Sequence, residues 1–261
     1  MQSSALRTFG PESRILHASL CVLALLCIPD ICAASTDDVI PAGGAPVYTA
    51  TSHTLNVNGV ERTFLLAAPT PMPADPPLVI SLHGDGGNSA GMRAALAMEA
   101  ASGGAAVFAY PKSAGGAFEY WSDAGRAAEA EFIAALIADI EAEVGIDETR
   151  VYLAGMSGGA TMANALGCRL GAGVIRKLGI HSGSLYPVGG DFGYTGNGGV
   201  DCDMPGAIIL WGKNDNTAGV DYATGQNIRN NHTATQLCDA TTSAFAPAPC
   251  VSYDGCTRPV S

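Results

Sequence analysis

The segment Arg150-Val151-Tyr152-Leu153-Ala154-Gly155-Met156-Ser157-Gly158-Gly159 restricts the fold more than any other part of the chain. Residues 150–154 read as a buried strand and residues 160–170 as a helix rich in small side chains. Only the glycine-flanked Ser157 separates them. A serine on so tight a strand-to-helix turn takes a strained backbone, and its flanking positions must lack bulk so that neighbouring elements can approach. The following helix aims its first amides at the serine, where they can stabilise an oxyanion. The G-x-S-x-G spacing is a weak signal by itself, because 33 of the 261 residues are glycine and Gly87-Asn88-Ser89-Ala90-Gly91 matches it too. Context decides for Ser157 as a nucleophile. Ser89 lies past the end of its strand, in a glycine loop.

The rest of the chain supports an alternation of strands and helices. Residues 52–57 and 62–67 flank Asn58-Gly59, a strong hairpin signal. A proline-rich connector, 69–77, leads to the continuous apolar run Leu78–Leu82 and then to His83-Gly84-Asp85-Gly86-Gly87. Residues 92–101 are helical in character, and 105–110 form a further buried strand stopped by Pro111. Phe132, Ile133, Leu136, Ile137, Ile140 and Val144 recur at three-and-four spacing, an amphipathic helix ended by Gly145. Residues 178–181 and 207–211 are two more strands, with the glycine-rich loop 189–199 between them. Such an order predicts an α/β fold, a mostly parallel sheet with helices on both faces, as one domain over residues 51–261.

Around Ser157 the candidate partners follow from position. An amide of Asp85 or Gly86, just past a strand end, would join that of Gly158 as an oxyanion donor. His83 itself reads as structural. Asp215, at the end of Trp211-Gly212-Lys213-Asn214-Asp215, follows the strand two beyond the serine's and is placed to orient a histidine. Asp201 and Asp221 are weaker choices, because neither sits at a strand end. The chain order Ser…Asp…His then asks for a histidine after Asp215. Of the chain's histidines only His232 qualifies, and it falls in an expected helix, 225–237, as a surface residue. Tyr120 and Trp121 are candidates for an acyl pocket, and read equally well as core. No Cys-x-x-Cys pair or histidine cluster is present, so no metal or cofactor is implied.

At the N-terminus, Arg7 and Arg14 precede the apolar stretch 20–28, which Pro29 and Asp30 break before Cys32-Ala33-Ala34. A basic start, a short apolar core and small residues at the end read as a signal peptide, 1–34, followed by a flexible leader, 35–50. The expectation is a secreted or periplasmic protein with no membrane attachment after cleavage. A net charge of −11 argues against nucleic acid and anionic lipid as partners. Export also makes Cys168, Cys202, Cys238, Cys250 and Cys256 disulfide candidates, although an odd number leaves one over.

From Leu55 onward the chain resembles the secreted feruloyl esterase and polyhydroxybutyrate depolymerase-like group of α/β-hydrolase esterases. The matching pieces are Leu82-His83-Gly84, Tyr110-Pro111 with Tyr120-Trp121, the 150–159 segment, Trp211 to Asp215, Cys238, and Tyr253-Asp254-Gly255-Cys256. The group has His-Gly-x-x-Asp where this chain has Trp211-Gly212-Lys213-Asn214-Asp215. The resemblance implies an α/β-hydrolase fold and an acyl-enzyme on Ser157, with small or polymer-linked esters as substrates. Feruloyl esters are favoured, with hydroxyalkanoate oligomers as the alternative. It also places the base in a Gly-His or Asp-His segment beyond Ser261, so a last strand and helix are expected to be missing. A truncated, inactive ester-binding product is then the non-enzymatic alternative.

Overall fold

A computed structural model describes residues 46–184, 202–217, 219–246 and 248–256. Two antiparallel strands, β1 (Val47–Val57) and β2 (Val60–Thr70), open the domain, joined at Asn58-Gly59, both with positive φ. The pairing runs from Val57↔Val60 to Val47↔Thr70. Strand structure therefore begins within the expected leader: β2 is eleven residues long and offers ladder partners to residues 47–50. The signal segment and residues 35–45 lie outside the described residues.

The remaining order is β3 (Leu78–Leu82), α1 (Ser89–Leu96), α2 (Met98–Ser102), β4 (Val107–Pro111), α3 (Asp123–Val144), β5 (Val151–Met156) and α4 (Gly158–Leu170). Then follow β6 (Lys177–His181), β7 (Gly206–Leu210), α5 (Tyr222–Thr235) and a small hairpin, β8 (Thr242–Ala244) with β9 (Val251–Tyr253). The main sheet has seven strands in the order β1-β2-β4-β3-β5-β6-β7. It is antiparallel through β2/β4 and parallel from there on. This is the mostly parallel α/β arrangement expected from the alternating elements, and it is consistent with the α/β-hydrolase fold that the resemblance implies. β7 stands at the sheet edge with all five residues half-buried, and the segment in which a further strand was expected lies outside the described residues.

Helices cover both faces. Phe132, Ile133, Leu136, Ile137 and Ile140 of α3 pack with α4 against Leu78, Ile80, Leu82 and Leu153 on one side. Burying each such side chain stabilises the fold by about 1.5–3 kcal/mol. On the other side Met92, Leu96 and Met98 cover Val79, Phe108, Tyr110 and Tyr152. The single helix expected over 92–101 is in fact two. Asn88 caps α1 by accepting from the Gly91 amide, and Ala97, at φ 47°, interrupts the run. Similarly, α3 starts well before its apolar stripe because the Ser122 hydroxyl accepts from the Gly125 amide.

Four of the five cysteine candidates pair, as Cys168–Cys202 and Cys238–Cys256. Cys250 lies outside both bridges. The first links α4 to the chain just before β7, and the second ties the end of α5 to the β8–β9 hairpin.

Candidate active site

Ser157 sits between β5 and α4 with φ 55° and ψ −124°, a conformation that non-glycine residues rarely adopt. Its amide donates to the His181 carbonyl at 3.0 Å, and its carbonyl accepts from the Ala160 and Thr161 amides. The strain is thus held from both sides by the strand end and the first helical turn. The flanking glycines are needed for contact rather than flexibility. A Cβ on Gly155 would collide with the backbone of Gly159, and one on Gly159 with the carbonyls of Leu82 and His83.

The loop after β3 lies directly against this elbow. A Cβ on Gly84 would come within 3.2 Å of Ser157 Cβ and 3.8 Å of its Oγ. Beyond it, the Asp85 carboxylate abuts Gly158 and accepts from the Tyr120 hydroxyl at 2.7 Å. The amide of Gly158 is the first of α4, where helix amides have no intrahelical partner. Gly86 is different from expectation as a donor: its N–H is already bonded to the Gly116 carbonyl at 2.7 Å. Among the described residues no hydrogen bond from the Asp85 amide is recorded, so Asp85 and Gly158 remain the candidate donor pair.

His83 is fully engaged. Its Nδ1 lies 2.7 Å from the Gly84 carbonyl and its Nε2 accepts from the Ser113 amide at 3.1 Å, so the ring proton is on Nδ1. The ring also packs on Phe118. It shapes the loop, as the sequence reading has it. Ser89, the other G-x-S-x-G serine, is a buried first residue of α1.

Asp215 lies in the loop after β7, half-buried, its amide bonded to Gly212 and its carbonyl to Tyr222. Asp221 serves instead as the cap of α5, accepting from the Thr224 amide and hydroxyl, and those bonds hold its carboxyl below the usual range. Asp201 lies outside the described residues. One residue that the chain-order argument set aside comes close to the site. His181, at the end of β6, pairs in register with Met156 and Leu210 and carries the carbonyl that holds Ser157. Burial keeps its imidazole pKa below the usual range, and the nearby Asp215 carboxylate opposes that in part. Its position one strand over from the serine was the available signal.

His232 is a correction. It was expected on the surface, yet it is 4% exposed, with Nε2 2.9 Å from the Asn164 side-chain oxygen. Gly225, Ile228, His232 and Thr235 form the buried stripe of α5. The ring is packed against α4 rather than presented to Asp215.

Tyr120 is buried at 8% exposure and Trp121 stands out at 43%, with ring centroids 4.0 Å apart. Arg126, fully buried, donates to the Tyr120 carbonyl at 2.8 Å and fixes this corner. Tyr120 is therefore a core residue whose hydroxyl reaches the Asp85 loop beside Ser157. Tyr120→Phe is expected to free the Asp85 side chain and loosen the loop that carries the candidate oxyanion amide. A drop of about two- to tenfold in kcat/KM corresponds to one ordinary hydrogen bond, measured on a soluble aryl ester against the unchanged parent. The open groove of about 670 Å³ lined by Asn230, Leu237 and Tyr253 shares no residue with this site.

The model of the family described as esterase PHB depolymerase matches residues 65–191, a span that includes β3, the loop after it and the Ser157 elbow. That span is just under half of the chain, which over it is similar to this esterase family. No curated protein matches it. Among solved structures, the acetyl xylan esterase from Aspergillus awamori superposes with a TM-score of 0.54 at 16% identity, over 76% of this chain and 85% of that one. A thermostable esterase from Pseudomonas putida ECU1011 matches 52% of the chain at 20% identity and a TM-score of 0.43. The chain spans only 44% of that protein's length. A ferulic acid esterase matches 52% of this chain and 60% of its own at 18% identity, with a TM-score of 0.43. At these identities the likeness is one of fold.

Proposed function

We propose that this protein is an exported serine carboxylic-ester hydrolase of the α/β-hydrolase superfamily that acts through an acyl-enzyme on Ser157. The observation that carries this reading is the Ser157 elbow itself: a positive-φ serine at the N-terminus of α4, with the Gly84-Asp85 loop packed against it. In the reaction, Ser157 Oγ attacks the ester carbonyl while its proton passes to a general base, for which Asp215 is the candidate orienting carboxylate. The amides of Gly158 and Asp85 receive the oxyanion. The alcohol leaves with that proton, and water then releases the acid from the serine by the same route.

Tyr120 and Trp121 favour an aromatic acyl group. Their rings form an angled pair beside the Asp85 loop, with Trp121 exposed and its indole N–H anchored on Glu119. Such a pair offers a face on which a feruloyl ring can stack. A hydroxyalkanoate ester is the second reading, supported by the matched family's description. Turnover of methyl ferulate faster than a 3-hydroxybutyrate oligomer by the purified chain is the expected result. The reverse preference would transfer the assignment to the second substrate.

Export is supported by the two disulfides, which form in oxidising compartments. Among the described residues no helix is long and apolar enough to cross a membrane.

A further inference from the structure

The seam between β1 and the C-terminal half of α3 brings together three donor side chains that ester hydrolysis does not use. His53 comes from β1, and Asp139 and Glu143 from successive turns of α3. One donor atom of each lies within 4.8 Å of the other two. His53 Nδ1 is 3.2 Å from Glu143 Oε2. On the far side of the ring, Nε2 is 2.7 Å from Thr51 Oγ1, and that hydroxyl donates to the Leu66 carbonyl at 3.5 Å. In the tautomer with the ring hydrogen on Nε2, Thr51 Oγ1 accepts it and directs its own proton to Leu66. Nδ1 then presents a lone pair to Glu143. Stacking on Phe64, at 5.1 Å between centroids, fixes the ring plane.

A lone pair facing a carboxylate oxygen at that distance is repulsive unless positive charge lies between them. Two further features ask for the same charge. Asp139 and Glu143 are like charges four residues apart on one helix face, which is itself unfavourable. Both also lie toward the C-terminus of α3, where the helix dipole is negative and the last turn holds no basic residue.

We propose that His53, Asp139 and Glu143 bind one first-row divalent cation of the zinc class, which clamps the edge strand β1 onto α3. Two donors each about 2.1 Å from a shared zinc, at ligand angles of about 90–109°, stand about 3.0–3.4 Å apart. The His53–Glu143 separation of 3.2 Å falls in that window. One imidazole with two carboxylates suits zinc and its neighbours better than calcium or magnesium, which take all-oxygen sets. Thr51 then plays the outer role common to metal-bound histidines, holding the tautomer and the ring orientation.

A proton on His53 Nδ1, in the neutral ring or the imidazolium, would satisfy Glu143 without any metal, and the test separates the two. The full chain carrying Cys250→Ser, so that this cysteine contributes no ligand, is dialysed against zinc chloride and melted with and without the ion. Saturable binding of one zinc per chain is expected, with a melting temperature that rises with zinc concentration. Asp139→Asn and Glu143→Gln should each weaken zinc binding by more than about tenfold, on the scale known for disrupted metal sites. Both leave aryl-ester turnover unchanged, since neither residue touches the Ser157 site. Absence of saturable binding, or equal binding by both variants, overturns the proposal in favour of a simple imidazolium–carboxylate pair.

Discussion

Ser157→Ala is expected to lower aryl-ester turnover by about three orders of magnitude or more, because the residual rate comes only from the oxyanion amides and substrate binding. The substitution is close to a pure deletion of Oγ. Alanine keeps the same Cβ, so it meets the φ 55° backbone at much the same cost as serine, and the bonds to His181, Ala160 and Thr161 are all backbone. The near-ultraviolet spectrum and melting temperature should therefore match those of the parent. Ser89→Ala is the control: it shares the sequence pattern but sits buried in α1, and its turnover should be unchanged. A second readout does not depend on the efficiency of the proton acceptor. An organophosphonate should label one serine, recovered in the 150–170 peptide, and the label should vanish in Ser157→Ala. Equal hydrolysis by Ser157→Ala and parent would sink the nucleophile assignment outright.

The elbow was legible because its demands are local. A strand, a glycine-flanked serine and a helix leave a pattern within ten residues, and the virtual collisions at Gly155 and Gly159 show why larger residues cannot stand there. The buried parallel strands were equally legible as continuous apolar runs, such as Leu78–Leu82 between proline and glycine. What escaped depended on distant partners. The break between α1 and α2 rests on Ala97 in the left-handed region, which alanine does not advertise. The strands β8 and β9 are short, mostly exposed and stapled by Cys238–Cys256, so they show little apolar periodicity. The commitment of the Gly86 amide depends on Gly116, thirty residues away. The proximity of His181 to Asp215 similarly arises from strand order, since β6 and β7 are neighbours in the sheet. Helix α5 is the sharpest case. Ile228 is its one large buried hydrophobe, so the segment reads as polar and solvated, yet its buried stripe closes over His232.

That buried histidine makes the fold sensitive to acid. Burial lowers the pKa of His232 from the ordinary 6.5 of an imidazole to about 4. Above pH 6.5 the ring is neutral in both folded and unfolded chains, and its contribution to stability is complete. Between pH 6.5 and 4 the unfolded chain takes up a proton that the folded chain refuses, so stability falls as pH falls. The gap corresponds to about 3 kcal/mol lost by pH 4, at about 1.36 kcal/mol per pH unit. His181 acts in the same direction, since its pKa is lowered too. Asp147 and Asp221, whose carboxyls are held below 3.8, add their own loss only in a lower window. Urea denaturation at pH 7 and pH 4.5 should therefore show a loss of about 2–3 kcal/mol attributable to His232, most of which His232→Gln removes even if that variant is less stable throughout. Ring-proton spectra of the parent should show the His232 resonances unmoved between pH 7 and pH 5. A normal titration near pH 6.5, or an unchanged pH slope in His232→Gln, would mean that the ring is hydrated in solution. Because the ring is bonded to Asn164 of α4, the helix that begins at Ser157, the same protonation would undermine the support of the nucleophile from behind. Activity should accordingly decline irreversibly with incubation below about pH 5, at a rate that tracks the loss of folded chain rather than the titration of the site.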